Sequence, residues 1–221
     1  MTVSDTDGRP DTSDMLVVHD AFRREFGMLP RLVRGVAPAD VERASALAQH
    51  YALLARFLHI HHHGEDVVLW PVLEVKASDR AAMIAEMQSD HLRLAELLSA
   101  ADTAVPAWAA APTAVGGESV AVQLDELDAH LERHLAHEER EILPLCRERL
   151  SAQEWDAVGE HSRAELPQED AFTVLGMLLE DAPPHAAAHM LAAMPPPVVA
   201  LWADVGAAGY SAYTAAVRAT G

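Results

Sequence analysis

Apolar residues recur at intervals of three and four along much of the chain, with polar residues between them. In the first such stretch Leu16, His19, Phe22, Phe26 and Leu29 share one face, which predicts a helix from about Asp14 to Val36, capped by Ser13, with Pro30 kinking or ending it. Pro38 opens a second stretch, with Val41, Leu47, Tyr51, Leu54, Leu58, His61 and Glu65 in register, ending near Pro71 or continuing to Lys76. Ser78 and Asp79 open a third, with Met83, Met87, His91, Leu94 and Leu98 on one face. Pro106, Pro112, Gly116 and Gly117 predict a loop over residues 101–117. A fourth helix is expected from about Glu118 to Leu150, with a break before Pro144. The fold class expected is all-α: an antiparallel up-down four-helix bundle over residues 14–150, followed by short additional helices.

The two ends read differently. Residues 1–13 are polar and are expected to form a disordered leader. In residues 151–221, Ser151-Ala-Gln-Glu154 has the form of a capping box, and prolines at 167, 183–184 and 195–197 punctuate short helical pieces. Leu175, Met177, Leu178, Met190, Val198 and Trp202 make this extension too apolar for a free tail. It is expected to pack on the bundle or on a second subunit, so a homodimer is one possible partner state.

Composition narrows the function classes. Half of the 221 residues are hydrophobic, yet mean hydropathy is only +0.02, as amphipathic helices require. A formal net charge of −18 argues against nucleic acid and against an anionic membrane surface as partners. There is no apolar run of membrane-spanning length, no signal-peptide pattern at the N-terminus, and a single cysteine, Cys146; the expectation is a cytoplasmic protein. Thirteen histidines spread from His19 to His189 are not a tag and need a chemical explanation.

An internal repeat supplies it. From His61 the chain reads H-H-H-G-E-D-V-V-L-W-P, and from His134 it reads H-L-A-H-E-E-R-E-I-L-P. Each copy has a histidine, a glutamate four residues on (Glu65, Glu138), an acidic residue next (Asp66, Glu139) and a proline ten residues after the histidine. Upstream, His19 precedes His61 by 42 positions and His91 precedes His134 by 43. The unit is thus a lone histidine, a helix and turn, then His-x-x-x-Glu, used twice. Positions i and i+4 lie one above the other on a helix, so each pair can converge on one cation. Four imidazoles and two carboxylates suit iron, zinc or manganese. His62 with Asp66 is a rival i,i+4 pair within the histidine run.

Across residues 14–150 the chain resembles the hemerythrin-like family, known for its His-His-Glu cation-binding pattern. The resemblance rests on His19, His61-x-x-x-Glu65, His91 and His134-x-x-x-Glu138, in that order. It implies two iron ions joined by an oxo or hydroxo group, with the four histidines as terminal ligands and Glu65 and Glu138 as bridges. Oxygen-carrying members have a fifth histidine, in a His-x-x-x-His pair on the third helix. Here the positions four away from His91 are Met87 and Ala95. Their last carboxylate also comes five residues after its histidine, where this chain has Glu139. One ion is then expected to have an open position, or His130, one turn before His134, fills it. Glu139, His62 and Asp66 are further candidates beside the ligands. The resemblance implies a small diatomic or peroxide ligand (O2, peroxide or NO) without dedicated O2 transport. Catalase-like or oxidase chemistry, iron storage or sensing, and a structural zinc site are the alternatives.

Overall fold

The computed structural model describes residues 8–219, and every regular element among them is helical. Four long helices form the body: α1 (Ser13–Arg34), α2 (Val41–Gly64), α4 (Ala81–Ala110) and α5 (Ala114–His137). They pack in a ring, with α1 and α4 each touching both α2 and α5. α2 is prolonged through a π-helical turn, Glu65–Leu69, into α3 (Trp70–Lys76), and α5 through a second π turn, Glu138–Ile142, into α6 (Leu143–Arg149).

The repeat seen in the sequence is therefore also a repeat in the backbone. Each π turn starts on the repeat's glutamate, and each resumed helix has its proline, Pro71 or Pro144, in its first turn. A proline donates no N–H to the carbonyl four residues back and crowds it. Widening the preceding turn accommodates this, and such widened turns are frequent at functional sites.

Several boundaries differ from expectation. α1 begins at Ser13 with Thr12 as its N-cap residue, so Ser13 is inside the helix rather than capping it. The expected disordered leader falls partly on residues 1–7, which lie outside the described residues. Residues 8–12 pack against the body instead: Thr12 is buried, its hydroxyl accepts from Arg147, and the Gly8 carbonyl accepts from the Ala152 N–H. α1 runs through Pro30, which is buried. α2 begins at Val41, after Pro38, with the Asp40 carboxylate accepting from the Arg43 N–H at 3.0 Å.

The loop expected over 101–117 is the largest correction. α4 continues through Pro106 to Ala110, and only residues 111–113 connect it to α5. Ala101, Val105, Trp108 and Ala109 keep the helical spacing and are buried, so burial outweighs the one hydrogen bond that Pro106 forfeits. Gly116 and Gly117 lie inside α5 because Trp108 covers them; a Cβ there would sit 3.2 and 3.3 Å from the indole.

The extension wraps the outside of the ring. α7 (Ala152–Glu165) starts with the expected capping box, in which the Ser151 hydroxyl and the Glu154 carboxylate each meet the other residue's backbone N–H. It lies against α2 and the first π turn. α8 (Ala171–Glu180), α9 (Pro184–Ala192), α10 (Pro196–Leu201) and α11 (Ala207–Arg218) follow, with α8 and α9 on α1 and α11 on α2 and α8. Partly buried polar contacts bind this layer: Arg218 donates to Glu25 at 2.8 Å, and the His50 ring meets the Tyr213 hydroxyl at 2.7 Å.

The interior is divided. One apolar cluster holds Phe22, Phe26, Leu58, Leu94 and Leu131; the other holds Met15, Leu69, Trp70, Met87 and Ile142. Along each long helix the passage between clusters falls on a histidine: Met15–His19–Phe22, Leu58–His61–Leu69, Met87–His91–Leu94 and Leu131–His134–Ile142. A polar layer thus crosses the middle of an apolar interior.

Candidate metal centre

Seven side chains make up that layer: His19, His61, His62, Glu65, His91, His134 and Glu138, all buried. Their donor atoms fall into two groups, each with all atoms within 4.8 Å of one another: His19, His61 and Glu138 in one, and His62, Glu65, His91 and His134 in the other. Glu65 links the two. One of its oxygens lies 3.2 Å from His61 Nε2 and the other 3.2 Å from His91 Nε2. On the far side Glu138 Oε2 lies 3.3 Å from His19 Nε2. Donors bound to one cation at about 2.1 Å are spaced by roughly 3.0–3.4 Å, so these separations match a shared coordination sphere.

Hydrogen bonding points the same way. Nε2 of His19, His61, His62 and His91, both ring nitrogens of His134, and all four carboxylate oxygens of Glu65 and Glu138 are buried without a hydrogen-bond partner in the protein. Buried polar atoms are ordinarily satisfied, and ten poorly partnered ones converging on one layer are what bound cations would satisfy. The residues present fit a pair of cations.

The acidic residues that follow the glutamates hold the lone histidines from behind. Glu139 Oε1 meets His19 Nδ1 at 2.8 Å, and Asp66 Oδ1 meets His91 Nδ1 at 2.7 Å. A carboxylate on the outer ring nitrogen fixes the tautomer and leaves Nε2 facing the centre. The arrangement is crossed: the histidine of the first repeat is held by the second, and that of the second by the first. Arg23 shares Glu139 at 2.7 Å, and the Trp70 indole N–H shares Asp66 at 3.0 Å.

The electrostatics follow from this crossing. Burial alone would lower the imidazolium pKa of His19, but Glu138 and Glu139 outweigh it and lift the group to about 9. His91 is likewise lifted against burial, by Asp66 and Glu65, to about 10. His61 and His62 are held well below their ordinary value by burial and by the charged imidazoles around them, and burial takes His134 down to about 3. Burial opposes both glutamates; His19 nonetheless draws Glu138 below its ordinary value, whereas the Glu138 charge adds to the burial that raises Glu65. The imidazolium protons of His19 and His91 stand where cations would otherwise balance the carboxylates.

The repeat singles out His61 over His62, because only His61 has the matching partner positions. The structure brings both inward. Being consecutive, they project about 100° apart on the helix, and each enters a different donor group. The His62 ring stacks on His91 at 4.2 Å and meets His134 edge-on at 5.1 Å. His62 is thus a fifth imidazole facing this layer. His130 lies beside Arg133 and Asp90 and belongs to neither donor group. A cavity of about 710 Å³ between α2 and α4 reaches this side of the centre, lined among others by Ala55, His59, His62, Asp66, His91 and Ala95.

Compared with models of known families, residues 11–146 match the hemerythrin HHE cation binding domain. No curated protein and no solved structure matches the chain. No helix among the described residues is long and apolar enough to cross a membrane.

Proposed function

From the premise that the chain belongs to the hemerythrin HHE cation-binding family, we propose that it holds two iron ions and binds O2-derived ligands (O2, peroxide or NO) at this bridged centre. His19, His61 and Glu138 would hold one ion and His62, His91 and His134 the other, with Glu65 bridging. The ring of contacts among α1, α2, α4 and α5, with short connections, supports an antiparallel up-down bundle around them. The observation that carries this reading is Glu65, with one carboxylate oxygen 3.2 Å from an imidazole of each group. Imidazole-rich, carboxylate-poor surroundings suit iron, with zinc and manganese as the alternatives.

Two Fe(II) ions bring four positive charges against two carboxylates, so an anionic bridge, oxo or hydroxo, is favoured. Counting imidazoles, the ion at His19 and His61 would have one fewer than its neighbour. When bound, iron supplies reversible one-electron chemistry and a Lewis-acidic position for oxygen species. The protein's own part is to keep His19 and His91 oriented through Glu139 and Asp66 and to exclude water with Phe22, Trp70 and Met87. The cavity that reaches His62 and His91 argues against a dedicated O2 carrier, because a stable O2 complex needs a closed, dry pocket. The same cavity favours a second reading, catalase-like decomposition of peroxide or an oxidase activity, since it offers an approach to the His62 and His91 side of the centre, largely apolar but carrying His59, His63 and Asp66. A reducing compartment with no membrane partner, the cytoplasm, is the proposed setting.

Metal content per chain and the optical spectrum before and after peroxide test the proposal. Two irons per chain and an oxo-bridge absorption band are expected, and Glu65→Ala should lose the bridge signature. A chain isolated with zinc alone and no iron-dependent spectrum would refute it. Rapid O2 release on adding peroxide would select the enzymatic reading.

A further inference from the structure

The histidine run contains a second pattern, on the face of α2 turned toward α7. His61 and His62 turn inward, whereas His59 and His63 lie one turn apart with rings stacked at 6.0 Å and an interplanar angle of 4°. Across from them α7 presents His161 and Glu165, themselves one turn apart. His63 Nδ1 lies 3.0 and 3.1 Å from the two oxygens of Glu165, and His161 Nε2 lies 3.3 Å from Glu165 Oε1. The donor atoms of His63, His161 and Glu165 all fall within 4.8 Å of one another. We propose that these three residues form a separate, solvent-facing site for a divalent first-row transition cation, at the seam between α2 and α7.

Three features support a cation over a plain ion pair. First, each histidine nitrogen lies 3.0–3.3 Å from Glu165 and all the donors fall within 4.8 Å of one another, so a small adjustment reaches the roughly 3.4 Å spacing of ligands bound at about 2.1 Å to one four-coordinate ion. Second, His161 Nε2 is enclosed and has no hydrogen-bond partner, although it faces the carboxylate. Third, the backbone is shaped for the contact. Gly64 follows His63 directly, and a Cβ on it would stand 2.6 Å from Ser162 Oγ, so glycine is what lets α7 come close enough to bring His161 and Glu165 onto His63. Two imidazoles and one carboxylate, with the fourth position left to water, select zinc-like ions over Mg2+ and Ca2+, which prefer oxygen donors. His59 and His63 also line the cavity that reaches His62 and His91, so the site stands at its rim. The strongly negative chain raises the local concentration of any cation.

The site does not depend on what the buried centre holds. The test is zinc titration of the full chain, purified with its own metal, alongside His161→Ala and Glu165→Gln. Iron content and helicity are measured on each sample. The expected result is one zinc equivalent in the parent chain whose affinity falls at least tenfold in either variant, with no change in buried metal. Cobalt(II) in place of zinc should give the visible absorption of a four-coordinate site, lost in both variants, and Mg2+ should not compete. Taking the difference between parent and variant cancels any zinc that enters the buried centre. Identical zinc isotherms in the parent and both variants would overturn the proposal, as would efficient competition by Mg2+.

Discussion

Replacing Asp66 by asparagine removes one charge behind the centre and leaves every inward-facing donor in place. Asp66 Oδ1 accepts from His91 Nδ1 at 2.7 Å, a charge-assisted contact of a kind worth about 1.5–3 kcal/mol when enclosed. The Asp66 side chain is 46% exposed, so water screens it and the lower end of that range applies. Loss of an outer partner of a metal-bound histidine typically costs 10–100-fold in affinity, and the screened figure of about 1.5 kcal/mol corresponds to roughly tenfold. Glu139 plays the matching part for His19, but Arg23 already takes up its charge at 2.7 Å, so Glu139→Gln should cost less. Because the arrangement is crossed, the two variants should weaken different ions: Asp66→Asn the one at His91, Glu139→Gln the one at His19. The assay is competition with a graded series of chelators, following the two metals per chain separately by stoichiometry and spectrum. If both variants released the same ion first, or neither changed the chelator concentration at half release, the crossed support of the lone histidines would be wrong.

Other outcomes follow from the same contacts. In the metal-free chain at pH 7, His19 and His91 are protonated, with values raised to about 9 and about 10, and a cation can bind only when they lose those protons. Affinity should therefore rise with pH from about 6.5 to 9, with about two protons released per pair of ions above neutral pH and a third from Glu65, raised to about 7, below it, measured by calorimetry in buffers of different ionisation enthalpy. The stability of the metal-free chain should be greatest near pH 6.5. Below that, the unfolded chain takes up protons that His61, His62 and His134, with lowered values, refuse; above it, the stabilising protons on His19 and His91 are lost as pH approaches their raised values. Chemical denaturation across pH 5–10 would show this, and stability that climbed steadily to pH 10 would contradict it. Arg218→Ala leaves the buried Glu25 carboxylate without one of its partners and should destabilise the fold by about 1–2 kcal/mol, discounted because Arg218 is partly exposed. Ala39 holds a left-handed backbone, φ 66°, between α1 and α2. Ala39→Gly should therefore raise stability by about 1 kcal/mol in a denaturant titration.

Much was legible from one dimension because helix periodicity converts spacing into direction. A histidine and a glutamate four apart must share a face, and a unit used twice, with its lone histidine 42 or 43 positions upstream, points to one shared interior. The helical class, the family and the convergence of His19, His61, Glu65, His91, His134 and Glu138 could be argued on that basis. The capping box at Ser151 was readable for the same local reason. Where the reading erred, local signals were outvoted by packing. Two prolines and a pair of glycines imitate a loop over 101–117, yet Trp108 buries against those glycines and the helices run on.

Other features depended on which helices face each other. Two consecutive histidines cannot be ranked by periodicity when the helix has partners on both sides of its inner edge, so the inward place of His62 was decided by the seam between α2, α4 and α5. The exchange of supporting carboxylates between repeats, and the meeting of His63 with His161 and Glu165, join residues 25 to 120 positions apart. The sequence by itself determined the direction of each side chain about its own helix, since that is set by a fixed backbone geometry. Only the tertiary structure decided which directions meet, because those choices are made by the burial of apolar faces between segments whose distance along the chain carries no record of their distance in space.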